Sequence, residues 1–149
     1  MKIPSKSRYA VSAMMDLALH QFIRPLTIAE IAEKQKISLS YLEQLFAVLR
    51  RAKLVRGTRG PGGGYRLAQE ADRITVAQII RVVDSSKLST EEEAYLPFLL
   101  WEDLSDKIYA YLETITIADC VRLADENGAE ASVAKDGKQK KDSENLYAA

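Results

Sequence analysis

Ile37-Ser-Leu-Ser-Tyr-Leu-Glu-Gln-Leu45 and, a little further on, Arg56-Gly-Thr-Arg-Gly-Pro-Gly-Gly-Gly-Tyr-Arg-Leu67 are the two stretches that decide the fold. In the first, Leu42, Leu45, Phe46 and Leu49 recur at i, i+3, i+4 and i+7, the spacing of one buried helical stripe. A helix is therefore expected from about Leu39 to Lys53, with Ser38 as its N-cap. Ser40, Tyr41, Glu43, Gln44 and Arg51 fall outside the stripe. In the second, glycines separate two short apolar runs, Leu54-Val55 and Tyr65-Arg66-Leu67. That pattern predicts a β-hairpin whose tip can approach another backbone closely.

Upstream of these strings, Ala10, Ala13, Met14, Leu17 and Ala18 form a second helical stripe, predicting a helix from about Ser7 to Phe22. Arg24-Pro25 closes it, because the residue before proline disfavours helical dihedrals. Thr27 and Glu30 then have capping-box spacing at the head of a short helix, Ile28 to about Gln35. Lys36-Ile37-Ser38 is a tight connection, with Ile37 expected as a core plug. Downstream, Val76, Ile79, Ile80 and Val83 place a short helix after Thr75. Thr90 and Glu93 repeat the capping-box spacing before a long helix running to about Thr114. Its residues Leu100, Leu104, Ile108, Tyr111 and Ile115 approach the spacing of a coiled-coil seam. Thr116 is expected to cap a last turn through Leu123. From Asp125 onward large apolar residues give way to Ala, Gly, Lys, Asp and Glu, so a disordered tail is expected.

The fold class is thus mainly α with a small β-hairpin wing, a winged helix-turn-helix plus a long dimerisation helix. The domain reading is 1–83 for the DNA-binding unit and 84–93 for a linker loop. Residues 94–124 hold the dimerisation helix and final short helix, and 125–149 the tail.

The 149 residues carry 21 Lys and Arg against 21 Asp and Glu, and a formal net charge of zero, taken alone, argues against a polyanion partner. The distribution reverses that impression. Residues 1–81 hold fourteen Lys and Arg against six Asp and Glu, a net of +8, and residues 82–149 carry the compensating −8. One half suits a polyanion and the other faces something else. No run of eighteen apolar residues suggests a membrane span, and Met1 to Arg8 lacks a cleavage-site pattern. With one cysteine, Cys120, no internal disulfide is possible, and the cytoplasm is the expected compartment.

The chemistry matches the geometry. A recognition helix needs short polar or amide side chains on its outer N-terminal part to reach base edges. Ser40, Tyr41 and Gln44 lie there, and Gln44 can make a bidentate contact to adenine. Arg50 and Arg51 suit phosphates. Arg56 and Arg59 put guanidinium groups on a loop able to enter the minor groove. Ser38 and Gly60 join the expected backbone contacts. Other signals carry less. Gly57 to Gly64 lacks the Lys-Ser/Thr of a P-loop. Glu91-Glu92-Glu93 reads as a charged first turn favoured by the helix dipole. Asp103 and Asp106 read as a solvated face. One histidine and one cysteine cannot assemble a nucleophilic triad, so an enzyme is not expected.

These strings resemble the Rrf-two family of bacterial winged-helix regulators. The likeness is carried by Ser5-Lys6-x-Arg8-Tyr9-Ala10, by Ile37 to Leu45, and by Arg59-Gly-Pro-Gly-Gly-Gly-Tyr-x-Leu67. Leu100-Trp-x-Asp-Leu-Ser-Asp106 and Ile115-Thr116 extend it, so that it spans about residues 1–123. The resemblance implies a sequence-specific transcriptional regulator, repressor or activator, that acts as a homodimer on pseudo-palindromic double-stranded DNA. Iron–sulfur cluster biogenesis or stress-related control is the implied setting, and RNA polymerase a candidate further partner. It also implies that Ser40, Tyr41 and Gln44 read bases or position the backbone and that Glu43 discriminates between operator classes. Arg59 is implied to enter the minor groove, while Ser5, Lys6, Arg8 and Tyr9 approach phosphate.

Cluster-binding members of that family carry three cysteines and a histidine before the long helix. Here Asp84 to Trp101 contains neither residue type. The acidic residue that some relatives recruit from the first helix has no counterpart in that region, which offers Arg8. No metal and no cofactor are expected, an iron–sulfur cluster being the alternative. Cys120 is read as a small buried apolar group and His20 as a cation suiting a helix C-terminus. Two other functions stay open: a metabolite-sensing winged-helix regulator, and a protein-interaction module that uses the acidic half.

Overall fold

The first helix, α1 (Ser5–Leu19), follows Pro4 and buries Ala10, Ala13, Met14 and Leu17 on one stripe. The computed structural model describes residues 4–84 and 97–128. α1 stops before Phe22, where the sequence placed its end. The His20 amide donates to the Leu17 carbonyl in a tightened last turn, and the Ile23 amide donates back to His20 at 3.0 Å. Arg66 donates from its guanidinium to the Gln21 carbonyl and so satisfies a group that a longer helix would have used. Phe22 is left 91% exposed on this turn.

α2 (Ile28–Gln35) opens with the expected capping box: the Glu30 amide donates to Thr27 Oγ1 and the Thr27 amide donates to Glu30 Oε2. It ends on Lys36 in the left-handed region, φ 54°, which lets the Ile37 amide return to the Ala32 carbonyl at 3.1 Å. α3 (Leu39–Arg51) starts where Ser38 Oγ accepts from the Tyr41 amide. Its inner residues Leu42, Leu45, Phe46 and Leu49 are fully buried against Met14, Leu17 and Ile31 of the two earlier helices. Each such side chain contributes about 1.5–3 kcal/mol when removed from water. That burial decides which face of α3 remains outside.

The hairpin is longer than the apolar runs suggested. β1 (Val55–Thr58) pairs antiparallel with β2 (Gly64–Leu67), with Val55 opposite Leu67 and Thr58 opposite Gly64. Arg56 and Thr58, expected in the connecting loop, lie in the ladder. The backbone holds its bonds there whatever the polarity of the outward side chains. Leu26 adds a further rung: it exchanges amide–carbonyl bonds with Tyr65, so the wing root is stitched to the turn before α2. A 3-10 turn (Ala71–Arg73) leads to α4 (Val76–Val83), which has a second capping box, Thr75 with Gln78. α5 (Pro97–Glu113) packs on α4. A helix over 117–128, α6, follows from Thr116, whose hydroxyl accepts from the Asp119 amide. This corrects the expected start of the tail, since 125–128 are still helical. The Thr90–Glu93 capping spacing, the 85–93 loop and the remaining tail lie outside the described residues.

Gly64 marks the tightest approach. Its φ is +149°, and a Cβ there would lie 2.5 Å from the Leu26 carbonyl oxygen. Gly64→Ala is expected to break the Leu26–Tyr65 rung and to destabilise the protein by about 2 kcal/mol or more, measured by urea unfolding.

The α2 cap is pH-sensitive. The Arg24 guanidinium first, and then the Thr27 amide and hydroxyl, hold the Glu30 carboxyl at about 2, below its ordinary 4.5. A lowered acid stabilises the fold above its ordinary value and loses that effect as pH falls toward the folded one. The stability gap between wild type and Glu30→Gln should therefore be full above pH 4.5 and shrink toward pH 2 in thermal melts.

Candidate nucleic-acid interface

Because the inner face of α3 is committed to the core, Ser40, Glu43 and Gln44 stand exposed on its N-terminal half, with Tyr41 half-buried beside them. The Tyr41 ring meets Tyr9 of α1 edge-on, centroids 6.1 Å apart at 84°. This contact sets the start of α1 against the start of α3. Between the two helices lies a cleft of about 340 Å³ lined in part by Lys6, Tyr41, Gln44, Val48 and Arg51. Two cations from different elements thus edge one concavity that also holds the amide side chain of Gln44.

Ser5 and Arg8 are exposed in the first turn of α1, where Arg8 Nη2 donates to Ser5 Oγ at 3.2 Å. Ser38 Oγ accepts from the Tyr41 amide in the α3 cap, and its hydroxyl hydrogen remains able to donate. Arg50 and Arg51 are exposed in the last turn of α3. Arg56 points from β1 opposite Arg66, and Arg59 is exposed at the tip. Behind Arg59 the chain reverses through Gly60 and Gly62, both at positive φ, and the Gly63 amide donates to the Gly60 carbonyl at 2.9 Å. A Cβ on Gly63 would lie 2.3 Å from the Thr58 carbonyl oxygen, so the tip is as thin as a backbone allows. Tyr65 ties this wing to α3, its ring 4.9 Å from that of Phe46.

Electrostatically, the cations of this surface stand without ion pairs among the described residues, and Glu43 is the acid exposed on the N-terminal half of α3. Among the described residues, carboxylates pair with Arg24, Lys34, Arg81, Lys107 and Arg122. Lys6, Arg8, Arg50, Arg51, Arg56 and Arg59 have no such partner among them. Cations left unpaired along one side of a fold suit phosphate, whose condensed counterions they displace.

Sequence reasoning missed three supports of this surface. Asp16, buried in the α1 stripe, accepts from Lys34 Nζ and from Gln35 Nε2 at 3.0 Å, which locks α2 to α1. A single acid inside an apolar stripe was the available signal. The Thr75–Gln78 box was legible by the same spacing rule as Thr27–Glu30. Arg66 on Gln21 had no sequence signal, since it joins residues far apart in the chain.

Of the expected seam, Leu100 and Tyr111 are 64% and 66% exposed and Leu104 and Ile108 half-buried. Ile115 is not on the helix. α5 ends at Glu113, and the Ile115 carbonyl accepts from the Val76 amide at 2.9 Å in the loop beyond it. The backbone pairing there outcompetes another helical turn.

Metal ligation finds poor support in the donor set. The whole chain has one cysteine and one histidine. Burial, and then Asp119, push the Cys120 thiol up, away from the thiolate that iron needs. The His20 ring shares a hydrogen bond through Nδ1 with the Asp16 carbonyl at 3.0 Å. Among the described residues no group of three His, Cys, Asp or Glu could hold a metal. These residues do not fit a cluster held by the thiolates of one chain. No described helix is long and apolar enough to cross a membrane.

Residues 3–123 match the family model Rrf2, described as an iron-dependent transcriptional regulator. The HTH-type transcriptional regulator IscR of Photobacterium profundum is 46% identical, the match covering 91% of this chain and 83% of that protein. The regulator of the same name from Erwinia tasmaniensis is 48% identical over 81% of this chain and 79% of its own. Among solved structures, T. potens IscR superposes with a TM-score of 0.74 at 42% identity, covering 85% of this chain and 90% of that one. CymR, the global cysteine regulator of B. subtilis, follows at TM-score 0.69 and 36% identity, over 83% and 98%. These relatives are named as regulators, not as enzymes. A winged helix matched over this length to transcriptional regulators is itself a DNA-binding transcriptional regulator, and the chain belongs to the Rrf2 family.

Proposed function

We propose that the chain acts in the cytoplasm as a homodimer on pseudo-palindromic operators, each α3 entering one major groove and each wing the flanking minor groove. The observation that carries this reading is the α1–α3 cleft, where Gln44 stands between Lys6 and Arg51, cations without carboxylate partners among the described residues, with Ser40 exposed on the same helix. Gln44, Ser40, Tyr41 and Glu43 would read base edges, Gln44 by its two-point match to adenine. Arg59 would enter the minor groove. Ser5, Lys6, Arg8, Tyr9, Ser38, Arg50, Arg51, Arg56 and the Gly60 amide would position the phosphates. Leu100, Leu104, Ile108 and Tyr111 would meet a second copy along α5, with Ile115 at the edge of that contact. Repression would follow from occupying promoter DNA, and activation, through RNA polymerase, where the site lies upstream.

The context we infer is control of iron–sulfur cluster supply or stress genes, a reading supported by a family model described as an iron-dependent transcriptional regulator. The single cysteine and single histidine support a regulator whose DNA binding does not depend on a cluster.

Selection of bound duplexes from a random pool should return a two-fold site. On it Gln44→Ala or Arg59→Ala should each weaken binding by about 1–3 kcal/mol while leaving random-sequence affinity nearly unchanged. Equal losses on both duplexes would contradict base reading. Affinity should also be the same for protein prepared with chelator and for protein reconstituted anaerobically with iron and sulfide.

A further inference from the structure

Where the winged-helix unit meets the long helix, one arginine holds two turns at once. Arg81, in the last turn of α4, donates to the Glu113 carboxylate, and its guanidinium carbon lies 4.9 Å from the Tyr109 ring centre. Tyr109 and Glu113 are i, i+4 on α5, so a single planar group engages successive turns of one face. The backbone supplies a separate attachment just beyond the helix. Thr75 bridges Thr116, the Val76 amide donates to the Ile115 carbonyl, and the Ile117 amide donates to the Ile74 carbonyl, both bonds at 2.9 Å. That attachment pins the C-terminal end of α5 as a point. A pinned end leaves the angle of the helix to its packing on α4, and there Arg81 adds a side-chain hold across the last turn of α5, on Tyr109 one turn before the end and on Glu113 at the end itself.

We propose that Arg81 is a positioning residue that sets the angle between the DNA-reading unit and α5, and hence the half-site spacing the dimer accepts. The inference rests on the homodimer reading. Two recognition helices joined through paired α5 helices must present their tips about one DNA turn apart, roughly 34–36 Å. A small rotation at α4–α5 changes that separation at both ends of the dimer.

The test uses the full chain carrying Cys120→Ser, with a nitroxide on Gln69→Cys, an exposed position after β2 outside the assigned DNA contacts. Pulsed electron-spin distance measurement should give one narrow inter-subunit distribution. Arg81→Ala should broaden or displace it, and Arg81→Lys, which keeps the charge but loses the flat stacking surface, should recover it in part. On selected duplexes with the spacer lengthened or shortened by one base pair, Arg81→Ala should lose about threefold or more of the wild-type spacing discrimination. Its affinity for a duplex with one half-site should not change. Tyr109→Leu and Glu113→Gln approach the same contact from α5 and should act in the same direction. A dimeric Arg81→Ala protein with the wild-type distribution and spacing profile overturns the assignment. A wild type without any inter-subunit distance is monomeric and overturns the homodimer reading together with it.

Discussion

The burial of Leu42, Leu45, Phe46 and Leu49 against α1 and α2 is the constraint from which the rest follows. A helix that spends one stripe on the core has no freedom over what it shows outside. Once Phe46 is inside, Ser40, Glu43 and Gln44 must face out. Phe46 also receives the edge of Tyr65, so the same burial orients the wing. Tyr65 is joined through its backbone to Leu26, and Arg66 beside it to the turn after α1. The exposed candidate surface is therefore a consequence of packing, with α1, α3 and the wing registered through two aromatic contacts and one backbone rung.

Much of this was legible in the residues, and the reasons differ by element. The bounds of α2 and the start of α3 follow from local chemistry, a capping box and a serine N-cap, and the structure has them where the spacing puts them. The end of α1, the length of the hairpin and the position of Ile115 were misplaced. Each is decided by partners distant in sequence: Arg66 on Gln21, the β1–β2 ladder, and Val76 on Ile115. Polar strand residues such as Arg56 and Thr58 give no alternating pattern to read. The candidate base-reading residues were found because helical periodicity assigns faces without tertiary information. Asp16 and Arg81 were not, because a buried acid and an arginine stacked on a tyrosine show their role only when the facing helix is in place.

Charge distribution and donor chemistry bear on what this chain can bind. Its net charge of zero conceals a basic first half, residues 1–81, and an acidic remainder, and the basic half is the one that carries α3 and the wing. The family model describes iron-dependent regulators, and this chain offers one thiol, raised by burial, and one imidazole already engaged with a backbone carbonyl.

Hydrogen exchange of the full chain with and without its selected duplex tests the central claim most directly. Bound DNA should protect amides at the start of α1, in the first half of α3 and along the wing from 56 to 64, and leave α5 unchanged. Protection confined to α5 and α6, with α3 and the wing exchanging as in the free protein, would contradict it.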